Sequence, residues 1–224
     1  MDGILNINKP KGMTSHDVVL RVRKVFRLKK VGHAGTLDPD ATGVLVICLG
    51  KATKAVRFLV NDNKEYEAVM ILGISTDSQD ASGRVLKKVD ELKVSELEVR
   101  KALEKLQGQT DQIPPMLSAI HYQGKRLYQL ARQGKVVERA PRKIKIFSLE
   151  ILEMELPRVK FHVVCSKGTY IRTLCADAGE ILGCGAHQAE LVRIRSGNFH
   201  IRDSLTLEEL RETTHPEPFL LPWK

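Results

Sequence analysis

The stretch VGHAGTLDPDATGVLVICLG, from Val31 to Gly50, places one acidic residue, Asp38, directly before a proline and shortly before an apolar run. The run Leu45–Leu49 predicts a short buried strand. Glycines on the N-terminal side of Asp38 allow the main chain to approach a ligand closely, and Pro39 stiffens the turn. The pattern is compatible with three roles for Asp38: a metal ligand, a nucleophile on a rigid loop, or a turn residue.

Two chemical interpretations of Asp38 compete with the structural one. The letters DPDAT, residues 38–42, satisfy the D-x-D-x-T pattern of Mg²⁺-dependent aspartyl phosphatases of the haloacid dehalogenase type. In that family a hydrophobic strand precedes the first aspartate, whereas here GHAGTL precedes it and the apolar run follows. A carboxylate on a rigid loop can instead attack an electrophilic carbon. An Asx turn at the entrance to a strand is the ordinary structural interpretation.

The composition favours a folded protein that meets a polyanion. The chain has 224 residues, 42% of them hydrophobic, and a formal net charge of +9. This length fits one large domain or two small ones with a sizeable core. Lys and Arg release counterions from phosphates, so a basic chain often binds nucleic acid. A generic basic surface is the alternative.

Cysteine usage and the absence of long apolar stretches predict a cytoplasmic protein. None of the cysteines forms a CxxC pair, and we expect reduced core thiols. No apolar stretch reaches the roughly 18 residues of a membrane span, and the N-terminus lacks the apolar core of a signal peptide. We therefore expect neither a membrane partner nor export. The four cysteines are Cys48, Cys165, Cys175 and Cys184.

Hydrophobic periodicity and capping signals predict four helices. They are expected over residues 14–30, 95–106 and 170–182, with a short last helix that begins at Thr206. Three of them begin with capping-box spacing, Ser or Thr followed three residues later by Asp or Glu. Arg172 lies one step off the apolar stripe of the third helix, so a solvated arginine is the ordinary interpretation of that residue.

Three segments are predicted to be strands, and their order decides the fold class. Besides Leu45–Leu49, they are Glu65–Leu72 and the alternating segment Val159–Cys165. Strands and helices mix without strict alternation, which favours an α+β fold over a doubly wound parallel sheet.

The segment from Ile113 to Lys143 is polar and basic, with two tyrosines between its basic residues. Basic side chains bind phosphates and tyrosines stack on bases, so the segment is typical of an RNA-facing arm. An ordinary exposed loop is the alternative.

Five motifs, read together in chain order, closely resemble the bacterial tRNA pseudouridine synthase B family. GHAGTLDPDATGVL at Gly32–Leu45, KEYEA at Lys64–Ala68 and CSKGTYIRTLCADAG at Cys165–Gly179 form the centre of the resemblance. ILNINKPKGMTSHDVV at Ile4–Val19 and LGCGAHQAELVRIRSG at Leu182–Gly197 flank it. The resemblance covers nearly the whole chain to about residue 212. It implies isomerisation of the uridine at position 55 in the T-loop of tRNA.

The resemblance implies a catalytic centre of three residues. Asp38 matches the essential aspartate of the family, and Arg172 matches the arginine that pairs with it. Tyr66 matches the tyrosine that stacks on the target uracil, and we expect it to accept or relay the proton that leaves C5. Whether Asp38 attacks C6 of the base, attacks C1′ of the sugar or removes a sugar proton is left open by the residues. Each of the three also has a structural interpretation, such as a core tyrosine or a solvated arginine.

Four further residues are implied to bind the substrate. Tyr170 matches a residue that lines the base pocket, and Leu191 matches an apolar residue that contacts the base. His33 matches the histidine that inserts into the T-loop in place of the extruded base, and Lys9 matches a lysine that braces the site.

The resemblance also implies the overall organisation. We expect a pseudouridine synthase fold, with a bent, mixed and mainly antiparallel sheet flanked by helices and a central basic cleft. The catalytic domain would span 1–212, with a thumb-like insert at about 113–143, and only a short tail, 213–224, in place of the usual C-terminal RNA-binding domain. The partner would be the T-stem-loop of tRNA, bound by a monomer without cofactor or metal. Two rival classes stay open: an RNA-binding module without catalysis, and the Mg²⁺ phosphatase.

Overall fold

The computed structural model describes residues 1–223 of the chain. The strands are β1 (Gly3–Lys9), β2 (Val31–Ala34), β3 (Thr42–Leu49), β4 (Lys64–Leu72), β5 (Ile74–Thr76), β6 (Val85–Lys88), β7 (Gly108–Gln112), β8 (His121–Tyr122), β9 (Lys125–Arg126), β10 (Arg142–Glu155), β11 (Arg158–Cys165), β12 (Ala186–Ser196) and β13 (Phe199–His200). The helices are α1 (Ser15–Phe26), α2 (Val56–Leu59), α3 (Glu96–Lys105), α4 (Leu127–Arg132), α5 (Ile171–Ile181) and α6 (Leu207–Glu212). Short 3-10 turns lie at Gly50–Ala55, Ile201–Asp203 and Glu217–Phe219.

The chain forms two compact units. The first contains Met1–Glu67 and the chain from Leu191 onward, and the second contains Ala68–Glu190. The division falls inside β4 and inside β12. The expected domain boundaries at 1–212 and 213–224 stay a prediction.

In the first unit, β3 is the central strand. It pairs antiparallel with β1 along its whole length, from Gly3 opposite Leu49 to Lys9 opposite Gly43. On its other edge β2 pairs antiparallel with its C-terminal half, and β12 pairs parallel with its first residues. Apolar side chains of β3 are buried on both faces, which explains why this strand is a continuous apolar run.

Helix α1 covers one face of this sheet. It packs Val18, Val22 and Phe26 against β1 and β3, in a cluster that also contains Leu207 and Leu210 of α6. The apolar positions recur at helical spacing, so burying them holds α1 to the sheet. Burial of each such side chain contributes about 1.5–3 kcal/mol.

The second unit is built on an antiparallel sheet with the order β4, β11, β10, β7. The 14-residue strand β10 pairs with β7 and, through two register shifts, with β11. Two small hairpins, β5 with β6 and β8 with β9, form separate pairs. The predicted α+β class with a mixed, mainly antiparallel sheet is confirmed.

The predicted capping boxes are confirmed, and one helix boundary is wrong. Thr14, Ser95 and Thr206 each cap a helix in a complete box. Helix α1, however, ends at Phe26 and not at residue 30, because Arg27 adopts a left-handed conformation with φ 50°. The basic residues that follow are good helix formers and no Gly or Pro marks the end, so the sequence pattern extended the helix too far.

The predicted state of the cysteines is also confirmed, since all four are free and buried. Within residues 1–223, no helix combines the length and apolar character that crossing a bilayer requires.

Candidate active site

Asp38 lies on the seven-residue loop that joins β2 to β3, residues 35–41, here called the Asp38 loop. The side chain is half-buried. The main-chain carbonyl of Asp38 accepts a hydrogen bond from the amide of Ala41 at 3.1 Å, which closes the turn before β3. Gly35 opens the loop at φ +89°, a conformation that favours glycine.

Lys9, the last residue of β1, holds the loop on the C-terminal side of Asp38. Its side chain is fully buried. The Nζ atom donates to the carbonyls of Pro39 at 3.0 Å, Met13 at 2.7 Å and Pro10 at 2.8 Å. An ammonium has three donors, and all three are used, so Lys9 joins the residue after Asp38 to the segment that follows β1.

Burial lowers the pKa of Lys9 from 10.5 to about 8, because desolvation disfavours the ammonium. The negative charges of Asp40 and Asp38 oppose this shift, while the positive charge of Arg193 adds to it. The lysine is therefore electrostatically coupled to the carboxylate on the loop that it holds.

We expect the free energy of unfolding of the wild type to rise relative to that of Lys9→Met as pH increases from about 8 toward 10.5. Between these values the unfolded chain carries a proton on Lys9 that the folded chain has lost. Stability increases with pH wherever the unfolded state binds more protons. Urea unfolding of both proteins across this range measures the difference, and parallel pH profiles for the two proteins would contradict the assignment.

Ser15 and Arg193 hold the loop on the N-terminal side of Asp38, and the sequence interpretation missed both. The Ser15 hydroxyl accepts a hydrogen bond from the amide of Leu37 at 2.9 Å and donates to the carbonyl of Leu37 at 3.1 Å. The Arg193 guanidinium donates to the carbonyls of Gly35 at 3.1 Å and Thr36 at 3.5 Å. Together with Lys9, they contact the main chain of four of the seven residues of the Asp38 loop.

Three other predicted site residues belong to the first unit. His33 lies on β2 and is half-buried; burial, and then the charge of Arg193, lower the pKa of its imidazole. Tyr66 lies near the start of β4 and Leu191 lies on β12, and both side chains are buried.

Charged neighbours fix the start of β4 around Tyr66. The buried Lys64 donates to the carbonyls of Val60 at 3.0 Å and Asp62 at 2.6 Å. Glu65 accepts a hydrogen bond from Nε of Arg195 at 2.8 Å. The residues that precede Tyr66 are therefore anchored to the α2–β4 connection and to β12.

Arg172 lies in the first turn of α5, in the second unit, and its side chain is buried, contrary to the solvated alternative. Its Nη1 lies 3.5 Å from Oδ2 of Asp80, and its Nη2 donates to the carbonyl of Leu117 at 2.6 Å. The other carboxylate oxygen of Asp80 accepts from the hydroxyls of Ser78 and Ser82, each at 2.6 Å. Asp80 is therefore a third residue, after Ser15 and Arg193, that the sequence interpretation missed.

Tyr170 occupies the N-cap position of α5, where Gln112 of β7 holds its main chain. The Gln112 side chain accepts from the Tyr170 amide at 2.8 Å and donates to the Tyr170 carbonyl at 3.1 Å. The Arg172 guanidinium lies 5.7 Å from the centre of the Tyr170 ring. No spacing signal in the sequence connects Gln112 with Tyr170, 58 residues later.

The structure thus brings the predicted residues together in two groups. Lys9 and the Asp38 loop form one group in the first unit, and Tyr170 and Arg172 form another in the second. The predicted pair of Asp38 and Arg172 joins residues of different units and stays a prediction.

The basic segment 113–143 contains regular structure. It carries the β8–β9 hairpin and α4, which buries Leu127 and Leu130. Arg132 stacks on Tyr128, with 5.5 Å from the guanidinium carbon to the ring centre. An open pocket of about 530 Å³ at this helix is lined by Lys125, Tyr128, Gln129, Arg132 and Gln133.

In chemical terms, the first group presents a carboxylate on a loop whose main chain is held on both sides. Such a group is suited to nucleophilic or proton-transfer chemistry, because its position is set before a substrate arrives. Within residues 1–223, no cluster of three or more His, Cys, Asp or Glu side chains could hold a metal ion.

Comparison with protein families identifies two matching models. The N-terminal domain of the TruB family of pseudouridylate synthases matches residues 23–171. The tRNA pseudouridylate synthase B C-terminal domain matches residues 172–218.

Similar curated proteins are found in bacteria. The tRNA pseudouridine synthase B of Clostridium tetani is 52% identical over 222 residues, which are 99% of this chain and 76% of that protein. The protein of the same name from Alkaliphilus oremlandii is 52% identical over 99% of this chain and 74% of its own length.

Two solved structures are similar over most of the chain. A Cbf5–Nop10–Gar1 complex contains a chain with a TM-score of 0.73 and 36% identity, over 92% of this chain and 52% of that one. An H/ACA ribonucleoprotein bound to a substrate RNA containing 2′-deoxyuridine contains another, with a TM-score of 0.72 and 31% identity, over 99% and 59%. The chain therefore spans between half and three fifths of the length of these two structural relatives.

Proposed function

The chain belongs to the TruB family of pseudouridylate synthases, enzymes that isomerise uridine in RNA, and we propose that its substrate is the uridine at position 55 in the T-loop of tRNA. The curated relatives act on tRNA by name, and their similarity extends over 99% of this chain. The resemblance of the five motifs supports the position within the T-loop.

The reaction breaks the N1–C1′ glycosidic bond, turns the freed uracil and joins C5 to C1′. It exchanges neither electrons nor net water, so it needs no cofactor. We assign to Asp38 the ionised carboxylate that acts on the nucleotide. Arg172 would keep this carboxylate charged and oriented, since a guanidinium lowers the pKa of a neighbouring acid.

The target uridine must leave its stack to reach a carboxylate on a protein loop, and this costs a few kcal/mol. Tyr66 and Tyr170 would recover part of that cost by stacking, at about 1–3 kcal/mol per base. Leu191 would contact the flipped base, and His33 would fill the space that it leaves in the T-loop. A half-buried imidazole whose pKa is lowered is neutral near pH 7, which suits a residue that replaces a base.

The observation that carries the proposal is the fixed main chain around Asp38. Buried Lys9 and Arg193 hold the carbonyls on either side of Asp38, and Ser15 holds Leu37. A turn residue with no function would not need three buried polar side chains from three different elements. The free cysteines fit a reducing compartment, which supports action in the cytoplasm.

The direct test is conversion of a T-stem-loop transcript in buffer with EDTA, followed by chemical mapping of pseudouridine. We expect product at the T-loop uridine and none in a transcript that carries cytidine there. Binding without product would favour the RNA-binding module. Failure of both, with phosphatase activity on addition of Mg²⁺, would favour the aspartyl phosphatase.

We expect binding of the transcript to weaken steeply with salt, through the basic segment 113–143. Each phosphate contact contributes a slope of about −0.7 to −0.9 to the plot of log K against log salt. Replacing both Lys125 and Arg132 with Gln should therefore reduce the magnitude of the slope by about 1.5. The control is Lys93→Gln with Arg202→Gln, which removes the same charge from side chains that are each 78% exposed. Equal slopes for the two double variants would refute the role of the segment.

A further inference from the structure

We infer that Arg193 is a positioning residue, whose guanidinium sets the place of the Asp38 carboxylate by holding the main chain that leads into it. This inference rests on the proposed function of Asp38. It assigns a role in the reaction to a residue 155 positions away in the sequence.

The contacts of Arg193 all run to main-chain oxygen. The side chain is 1% exposed. Its Nε donates to the carbonyl of Val44 at 2.6 Å, Nη2 to that of Gly35 at 3.1 Å, and Nη1 to that of Thr36 at 3.5 Å. The rigid, planar guanidinium, with its donors arranged as a fork, therefore contacts both ends of the Asp38 loop, from the turn after β2 to the first residues of β3.

The main chain around Arg193 is itself placed with little freedom. In the parallel pairing of β12 with β3, Arg193 lies opposite Gly43. A Cβ atom on Gly43 would come within 2.3 Å of the Arg193 carbonyl oxygen, so the two backbones are in direct contact. A Cβ on Gly35 would lie at van der Waals distance from Nη1, 3.5 Å, so what favours glycine at this position is its φ of +89°.

A purely structural role explains the burial of Arg193 poorly. Burying a guanidinium carries a large desolvation cost, and an apolar side chain of similar volume is often at least as stabilising. What an apolar side chain cannot do is donate to two carbonyls of the Asp38 loop and to a third on β3. The planar fork fixes their relative positions, and displacement of a reacting group by about 1 Å can lower a rate by about 100-fold.

Lys9 and Ser15 complete the arrangement. Lys9 fixes the residue after Asp38 and Ser15 fixes the residue before it, while Arg193 fixes the two residues that precede Leu37. The Arg193 side chain also donates to the carbonyl of Val44 in β3, so it joins the loop directly to the central strand.

The test compares Arg193→Met and Arg193→Lys with the wild type in single-turnover conversion of the T-stem-loop. We expect Met to lower the rate about 100-fold while the Kd for RNA changes by less than about twofold. Lys keeps the charge but replaces the fork by a single ammonium, so it should recover part of the loss. Val22→Ala, a truncation in the core under α1, is the control for lost stability, and it should lower the melting temperature without lowering the rate.

A readout that does not depend on activity separates this inference from the proposed function. Amide hydrogen exchange in residues 35–41 should accelerate in Arg193→Met and stay unchanged in Val22→Ala. Unchanged amide exchange in the loop of Arg193→Met would overturn the inference. So would an equal loss of conversion rate in Val22→Ala and Arg193→Met, if the two variants have the same melting temperature. If amide exchange in the loop is faster in Arg193→Met but the wild type forms no pseudouridine, the proposed function is wrong. The positioning of Asp38 by Arg193 is still supported in that case.

Discussion

Asp38→Asn is expected to abolish pseudouridine formation while RNA binding survives. Asn has nearly the same size and shape as Asp, so the hydrogen bonds to the main chain of the Asp38 loop stay in place. It lacks the negative charge that the proposed chemistry requires. Loss of a group that acts directly on the substrate commonly lowers kcat by about 1,000-fold or more. Single-turnover conversion of the T-stem-loop and a binding titration measure the two quantities separately.

Asp40→Asn is the matched control for this experiment. Asp40 is exposed, lies on the same loop two residues later, and carries the same charge. We expect its substitution to leave conversion within a few-fold of the wild type. Full activity in Asp38→Asn, or equal losses in the two variants, would show that Asp38 is not the reacting carboxylate.

Gly43→Ala is expected to destabilise the first unit by at least about 3 kcal/mol. Gly43 has φ +97°, where an L-residue is strained. The added Cβ would lie 2.3 Å from the carbonyl oxygen of Arg193 and 2.8 Å from its amide nitrogen. Both atoms belong to the backbone, so relief of the clash requires β12 to move away from β3. Urea unfolding followed by circular dichroism measures the loss.

Gly134→Ala separates the two causes of that loss. Gly134 also has a positive φ, +71°, but an added Cβ there meets nothing within 4 Å. Its substitution carries the conformational strain alone, about 1 kcal/mol. A similar loss in the two variants would mean that contact between β12 and β3 at Gly43 does not limit stability.

Much of the local structure was predictable because its causes are local. The three capping boxes join residues three positions apart, and the buried run of β3 and the alternation of β11 are visible in a few consecutive letters. The end of α1 was not predictable in this way. Arg27 ends the helix in a left-handed conformation, although arginine normally continues a helix. Beyond it, the amide of Leu28 donates to the carbonyl of Arg23.

The sequence by itself determined the type of the three strands and four helices that it predicted, the α+β class, and the motifs that belong to the TruB family, because these depend on neighbouring residues or on long, specific patterns. The family resemblance implied that Lys9 braces the site, but only the tertiary structure decided which atoms hold the Asp38 loop in place. Arg193, Ser15 and Lys9 bind the loop through main-chain carbonyls, which every residue type presents, and through an amide, which only proline lacks. A contact with such groups leaves no complementary side-chain pattern in the sequence, so it becomes visible only when the folded chain brings β1, α1 and β12 to the same loop.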